Sequence, residues 1–170
     1  MNRETMQSIQ QPLKDSYRAD ASKALVTLRA DGDIDSEGIS CSVATGQAMV
    51  AAGLHPASGG NGMLACSGDL LLQALVACAG VTLRAVATSL EVDVRSGSVH
   101  AEGDLDFRGT MAVSKEAPVG FSDIRLRFDL DTDASEDQLA SLLKLTQRYC
   151  VVLQTLLQSP HVDVTLNGPS

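Results

Sequence analysis

The side chains best suited to chemistry in this sequence are four widely spaced cysteines, Cys41, Cys66, Cys78 and Cys150. None of them forms a C-x-x-C pair, so the sequence lacks the spacing of a thioredoxin-type motif or a zinc knuckle. Cys78 and Cys150 each lie among apolar residues at helical spacing. A buried helical thiol is most often a small core side chain, whereas a redox thiol needs neighbours that stabilise its thiolate. The surrounding elements must decide between these two interpretations.

The other two cysteines and the three histidines give weaker signals. Cys41 is in phase with apolar neighbours and is interpreted as core, and Cys66 precedes a helix start and is interpreted as an exposed free thiol. The histidines have no metal-ligand spacing with one another or with the cysteines; they are His55, His100 and His161. We therefore expect no metal and no other cofactor.

Composition and charge narrow the class of partner. The 170 residues suffice for one domain with a real core, and the net charge of −8, without a Lys/Arg block, argues against nucleic acid and anionic membranes. The first twenty residues lack the apolar run of a signal peptide, and the apolar stretch 70–83 is too short to span a bilayer. We expect a cytoplasmic protein with a polar lead-in over residues 1–22 and a single domain over residues 23–170.

The first part of the domain is predicted to be β structure. Alternating apolar and polar residues, bounded by turn-forming residues, favour strands there. We expect three strands, over residues 23–30, 38–44 and 47–52. Residues 31–33 have the composition of a turn, and the glycine-rich segment 55–62 has that of a loop.

A long helix should follow, carrying the first cysteine. Ser67 is a good N-cap, and Asp69 falls in the first turn, where the helix dipole favours an acid. Nearly every position up to Leu83 is apolar or small, which predicts a helix buried on several sides and ending near Leu90. Its residues at helical spacing are Leu70, Leu71, Leu75, Cys78, Thr82 and Val86.

Strands are expected again over residues 91–107 and 121–131, separated by a loop over residues 108–120. Gly97 and Gly103 favour bulges or turns in the first of these segments. The segment 121–131 alternates apolar and charged residues, so one face should be core and the other solvated.

The second cysteine belongs to a second predicted helix, which a capping box of Ser135 and Gln138 begins and Pro160 stops. Cys150 is expected in the middle of this helix, on one stripe with Leu139, Leu143, Thr146, Leu153 and Leu157. A last strand over residues 162–166 closes the domain. Strands and helices are mixed without regular βαβ alternation, which predicts the α+β class.

Four segments, in this order and spacing, resemble the OsmC/Ohr family, the osmotically inducible protein C and organic hydroperoxide resistance proteins. They are the glycine-rich run 59–62, the segment 67–78 that ends in the first cysteine, the strand start 119–124 and the second-cysteine segment 142–152. The resemblance extends from about residue 23 to residue 166. It implies antiparallel sheets with two core helices in an intertwined, domain-swapped homodimer that has two sites at its interface.

The resemblance also implies a chemistry, because the family's site pairs two helical cysteines with a carboxylate and, in the peroxidase branches, an arginine. Cys78 would attack an organic hydroperoxide as a thiolate and become a sulfenic acid, and Cys150 would resolve it as a disulfide. A small dithiol or lipoyl-type protein would reduce the disulfide. An apolar pocket lined by Leu71, Leu75 and Leu153 would suit such a substrate.

The sequence departs from the family pattern around both cysteines. Asp69 stands in place of the family's glutamate and Ser67 in place of its helix-opening proline. Val151 replaces the proline after the second cysteine and can continue the helix, which predicts loss of a local bend. Arg29 is the nearest match to the arginine, whereas Arg148 is two residues from Cys150 and faces elsewhere. Asp69 is equally consistent with a plain N-terminal helix acid, and Arg29 with a solvated strand-end charge.

Three interpretations of function remain open from the sequence, because a fold does not fix a function. The first is a thiol-dependent peroxidase for organic hydroperoxides that needs both Cys78 and Cys150. The second is a non-catalytic OsmC-like protein that binds a small apolar ligand at the dimer interface. The third is a structural or regulatory dimer whose cysteines only fill the core.

Overall fold

The computed structural model describes residues 3–34, 41–43, 52–63 and 65–166 of the chain. These residues form an α+β fold in which one long helix packs against an antiparallel sheet and two further helices. The elements in chain order are α1 (Arg3–Ala19), β1 (Leu25–Ile34), β2 (Cys41–Val43), β3 (Ala52–Gly53), β4 (Ala65–Cys66), α2 (Ser67–Ser89), β5 (Ser96–Asp106), α3 (Phe107–Thr110), β6 (Phe121–Asp131), α4 (Glu136–Tyr149) and α5 (Val151–Leu157).

The main sheet has the strand order β2-β1-β5-β6, and each neighbouring pair is antiparallel. On the inner face, Val99 and Ala101 of β5 are buried against α2. The predicted strand over residues 121–131 is confirmed as β6, and its alternation holds. Its core-facing residues are half-buried and its charged residues are exposed; the core-facing set is Ile124, Leu126, Phe128 and Leu130.

The turn predicted at residues 31–33 does not form, because β1 continues to Ile34. Gly32 pairs with Val43 of β2 on one side and with Val99 of β5 on the other. Backbone pairing on both sides outweighs the turn preference of the local residues. Of the strand predicted over residues 38–44, Cys41–Val43 is present as β2. The rest of that segment, and most of the strand predicted over residues 47–52, lie outside the described residues.

The glycines of β5 are in regular register rather than at bulges, contrary to the prediction. Gly97 pairs with Leu130 and Gly103 with Ile124, and the register shift lies one step later, between Asp104 and Leu105. A Cβ atom at Gly103 would lie 2.5 Å from Cε1 of Phe121. Glycine is therefore required there because an aromatic ring occupies the space of a side chain.

Helix α2 confirms the long buried helix, with Asp69 in its first turn and its end at Ser89. The N-cap is Cys66 instead of Ser67, and no side chain caps the first turn. By length and composition alone the helix could also cross a membrane, a test that the core helix of a soluble domain passes equally. Its buried residues are Leu72, Leu75, Val76, Ala79, Gly80, Leu83, Val86 and Ala87.

The ends of the chain differ from the sequence-based expectation. Instead of an irregular lead-in, residues 3–19 form α1, whose Tyr17 is buried and donates a hydrogen bond to the Ala57 carbonyl. Met6, Ile9, Leu13 and Tyr17 recur at intervals of three and four, which is helical spacing, so the sequence did contain a helical signal that the prediction of an irregular lead-in missed among the many polar residues. A domain boundary at residue 22 stays a prediction. Residues 162–166 form no strand, and Val164 and Leu166 are 90% and 95% exposed. An alternating apolar segment needs a strand edge to pair with, and none of the described strands pairs with it.

Candidate redox site

Cys78 lies in the middle of α2, on the side that faces α5, and it is half-buried. It shares one helical stripe with Leu71, Leu75 and Thr82, because these residues recur at intervals of three and four. The regular helix on both sides of Cys78 fixes the direction of its side chain. The helix therefore presents this thiol to whatever α5 offers.

Cys150 is fully buried and lies at a break between two helices. Its backbone has φ −71° and ψ 105°, an extended conformation that ends α4 and begins α5. Its N–H still donates to the Thr146 carbonyl at 3.0 Å, and its own carbonyl accepts from the Gln154 N–H at 2.9 Å. The predicted mid-helix position of Cys150 is therefore wrong, and the bend persists although Val151 is able to continue a helix.

A side-chain hydrogen bond accompanies the break at Cys150. In an unbroken helix the Val151 N–H would donate to the carbonyl of Gln147. The Gln154 side chain donates its Nε2–H to that carbonyl instead, at 2.8 Å. The Gln154 side chain thus satisfies a carbonyl that the break leaves without its helical donor.

The two thiols meet across the contact between α2 and the α4–α5 break, and they interact directly. Burial by itself would raise the pKa of the Cys78 thiol. Several donors around its sulfur outweigh burial and hold the pKa of Cys78 below its ordinary value. In order of effect they are the Val152 N–H, the Cys150 thiol, the Thr82 hydroxyl and the Val151 N–H.

Cys150 has the opposite shift. Burial is the main reason that its pKa is raised to about 11, and the neighbouring Cys78 sulfur raises it further. The N–H groups of Leu153 and Val152 act in the other direction without reversing the outcome. The pair therefore consists of one thiol that ionises easily and one that keeps its proton.

Asp69 does not reach the thiol pair within one protomer. Nine residues of helix correspond to about two and a half turns, so Asp69 and Cys78 project from opposite sides of α2, about 13 Å apart along its axis. Burial raises the pKa of the Asp69 carboxyl, and the charge of nearby His55 partly offsets this effect. The imidazole of His55 in turn stacks on Phe107, with ring centroids 5.0 Å apart.

Arg29 is in β1, where its backbone pairs with Glu102 of β5; its side chain lies outside what the structure describes. Its predicted role at the site stays a prediction. Arg148 lies over the ring of Tyr149, 5.5 Å from the ring centroid. That position agrees with the expectation that Arg148 does not serve Cys150.

Cys66 is half-buried rather than exposed, which corrects the prediction of a surface thiol. It lines a cavity of about 360 Å³ at the start of α2, together with Leu71, His55 and Phe107. The side chain of Cys41 lies outside the described part of the chain.

Leu75 and Leu153 line a separate cavity of about 290 Å³ near the thiol pair. The predicted pocket is thus divided, and Phe121 belongs to both cavities.

Sequence reasoning missed the donors that surround Cys78. Thr82 was visible as the residue one turn after Cys78 on the same stripe, which is a sufficient signal for a side-chain contact. The N–H groups of Val151 and Val152 gave no signal, because they are free only where the helix breaks.

The fold and the paired thiols define an α+β domain with a two-thiol site between its central helix and the α4–α5 break. A model of the family described as OsmC-like protein matches residues 60–165, and the chain belongs to this family. No curated protein matches the chain.

Two solved structures share the fold, each at 14% sequence identity. One is an OsmC-like hydroperoxide resistance protein from Jannaschia sp. CCS1, with a TM-score of 0.59, covering 85% of this chain and 95% of that chain. The other is an OsmC-like protein from Mycoplasma pneumoniae, with a TM-score of 0.55, covering 79% of this chain and 86% of that chain. At this identity the similarity establishes the fold.

Proposed function

We propose that the protein is a thiol peroxidase that reduces organic hydroperoxides to alcohols in defence against oxidative stress. The observation that supports this proposal is the contact between two thiols whose pKa values are shifted in opposite directions. A thiol attacks a peroxide as the thiolate, so the thiol with the lowered pKa is the attacking one. We therefore assign attack to Cys78 and resolution to Cys150.

The proposed reaction has two steps on the protein. The Cys78 thiolate attacks the terminal oxygen of the hydroperoxide, the O–O bond breaks, and the sulfur keeps an OH group as a sulfenic acid. The alkoxide that leaves takes a proton from solvent and becomes the alcohol. The Cys150 sulfur then attacks the sulfenic sulfur, an S–S bond forms, and water is released. A small dithiol or a lipoyl-type protein returns two electrons by thiol–disulfide exchange.

The walls near the thiols favour an apolar substrate. The cavity of about 290 Å³ is lined by Leu75, one turn before Cys78, and by Leu153, one turn after Cys150, with Phe121 between the sheet and the helices. Such walls bind an alkyl or aryl group better than they bind the small polar hydrogen peroxide. We therefore propose an organic hydroperoxide as the substrate.

We also propose that the protein works as a homodimer in the cytoplasm, where thiols stay reduced. Large apolar side chains are exposed around the α4–α5 break and the C-terminal segment, and a second copy would cover them. They are Tyr149, Val151, Leu157, Val162, Val164 and Leu166. Because Asp69 is remote from Cys78 within one protomer, a role for Asp69 at the site requires the second protomer. Light scattering should give twice the chain mass of 17.8 kDa, and a single-chain mass would contradict the dimer.

The test of the proposed reaction mixes reduced protein with stoichiometric cumene hydroperoxide and follows peroxide loss and protein mass together. We expect fast peroxide loss with a decrease of two hydrogens in protein mass. The Cys78→Ser variant should lose both signals. The Cys150→Ser variant should form no disulfide and should accumulate oxidised Cys78. The matched control Cys66→Ser should behave as the wild type.

If all these proteins consume peroxide equally slowly, the peroxidase proposal fails. The non-catalytic protein that binds a small apolar ligand at a dimer interface would then be the better interpretation. If the wild type also accumulates oxidised Cys78 without losing two hydrogens, Cys150 does not resolve the sulfenic acid, and the two-thiol mechanism fails.

A further inference from the structure

We propose that Phe121 is the end wall of the substrate pocket and limits the length of the apolar group that a hydroperoxide can place beside Cys78. Phe121 is then a specificity residue that excludes long chains. This role deepens the proposed peroxidase function and rests on it for its meaning in catalysis. Two features support it, namely the arrangement of two cavities along α2 and a bulge in β6 that turns the Phe121 ring towards them.

The two cavities follow one face of α2 away from Cys78. Leu75 lines the cavity of about 290 Å³, and Leu71, one turn earlier, lines the cavity of about 360 Å³. The helical rise places these two leucines about 4.5 Å and about 10.5 Å from Cys78 along the axis, and their spacing keeps them on its face. An apolar chain with its peroxide group at Cys78 would therefore lie beside Leu75 first, and only a longer chain would reach Leu71.

The Phe121 ring lies at the boundary between these cavities. Among the residues that the structure describes, Phe121 is the one that lines both of them. It is half-buried and packs against the main core. A chain that extends from the cavity beside Leu75 towards the cavity beside Leu71 therefore meets this ring.

A bulge in β6 explains why the ring points inwards. From Ile124 onwards every second residue of β6 faces the core, so regular alternation would turn position 122 inwards and Phe121 outwards. The register with β5 shifts instead, so that Leu105 pairs with Phe121 and Ser122 is the extra residue. The Ser122 hydroxyl donates to the Asp104 carbonyl at 3.1 Å, and its side chain is exposed. Phe121 is consequently on the inner face of the sheet, beside Leu105.

Gly103 of β5 gives the ring its place on that face. A Cβ atom at Gly103 would lie 2.5 Å from Cε1 and 2.6 Å from Cδ1 of Phe121, so the ring lies directly on the strand. The bulge turns the ring inwards, and the glycine lets it approach the backbone. A ring that is held on the strand in this way forms a fixed wall.

The experiment measures how tightly the reduced protein binds linear alcohols, which are the products of the proposed reaction on linear hydroperoxides. Isothermal titration calorimetry gives the dissociation constants of hexanol, octanol, decanol and dodecanol. Phe121→Ala removes the wall, and Phe121→Leu makes it smaller while it keeps an apolar side chain in the core. Phe128→Ala is the matched control, because Phe128 is a half-buried phenylalanine of the same strand that lines a different cavity, between β6 and α4.

For the wild type we expect the dissociation constant to fall about fourfold for each methylene group that enters the cavity, and to stop falling once the chain meets Phe121. In Phe121→Ala the fall should continue into the second cavity. The ratio of the octanol to the dodecanol dissociation constant should then be at least about tenfold larger than in the wild type. Phe121→Leu should change this ratio in the same direction by less, and Phe128→Ala should keep the wild-type profile.

Three results would overturn the role of Phe121. The first is a wild type that binds none of the alcohols or binds each longer one more tightly without a limit. The second is a length limit that both Phe121 variants leave unchanged; Phe121→Leu decides alone if Phe121→Ala does not fold. The third is an equal change in Phe128→Ala.

Alcohol binding involves no thiol chemistry, so its outcome is independent of peroxide consumption. A longer limit in Phe121→Ala, in a protein that does not consume cumene hydroperoxide, would leave Phe121 as the wall of an apolar binding site and refute the peroxidase function. An unchanged limit in an active two-cysteine peroxidase would refute the role of Phe121 alone.

Discussion

The two cysteine-bearing helical segments have similar sequence patterns but different structures. α2 runs unbroken for 23 residues and is buried on several sides. The second segment breaks at Cys150 into α4 and α5, and its buried residues are few: Leu142, Thr146 and Cys150. One thiol is therefore held by a rigid helix, and the other marks a break that uncovers backbone donors. One segment thus holds the reactive thiol of Cys78 in place, and the other contributes groups that lower the pKa of this thiol.

The largest expected effect is on the free energy of unfolding, and it compares how much α2 and α4 contribute to the core. Leu75→Ala on α2 should lower the free energy of unfolding by about 2–5 kcal/mol, because Leu75 has no exposed surface. Leu143→Ala on α4 should lower it by about 1 kcal/mol or less, because Leu143 is 44% exposed. Urea unfolding of both variants gives the comparison. Equal losses would mean that α4 is covered by further structure, such as a second protomer.

The sequence predicted α2 and β6 well for a shared physical reason. In β6 the two faces differ sharply in polarity, so the pattern identifies the buried face. In α2 nearly every position is apolar, so a buried helix is predicted whichever side faces the core. The stripe predicted for the second helix is confirmed at Thr146 and Cys150, which are buried, and is wrong at Leu143, which is 44% exposed. Leu142 and Leu143 are adjacent and equally apolar, so periodicity alone could not select Leu142 as the buried one.

The site was only partly predictable. The resemblance to a family paired Cys78 with Cys150, which no spacing along the chain would have shown. The break at Cys150 was not predictable from Val151, because valine is able to continue a helix, and the bond from the Gln154 side chain to a backbone carbonyl that accompanies the break gives no signal in the sequence. Asp69 was aligned with a family carboxylate by position, but helix geometry sends it away from Cys78 within one protomer.

The next effect concerns the reactivity of the two thiols. At pH 8 a thiol with a pKa of about 11 is roughly one-thousandth ionised, whereas an ordinary thiol with a pKa of about 8.5 is roughly a quarter ionised. Because the pKa of Cys78 is lowered and that of Cys150 is raised, we expect Cys78 to react with iodoacetamide about a hundredfold faster than Cys150 in the reduced protein. Peptide mass spectrometry after timed quenching measures the ratio. The ratio should shrink as the pH rises towards 11, because the proton then leaves Cys150 as well; equal rates at pH 8 would refute the assignment of roles.

The smallest effect tests what maintains the break. Gln154→Ala leaves the Gln147 carbonyl without its side-chain donor, which favours a return of the Val151 N–H to the helical bond. We expect alkylation of Cys78 at pH 7 to slow by about threefold, because one donor is partly withdrawn, with a change in unfolding free energy within about 1 kcal/mol. Gln147→Ala is the matched control, since it keeps the backbone carbonyl and should leave Cys78 unchanged. If Gln154→Ala also leaves Cys78 unchanged, packing around Cys150 maintains the break without this bond, and the difference between the two segments then arises from their contact with each other.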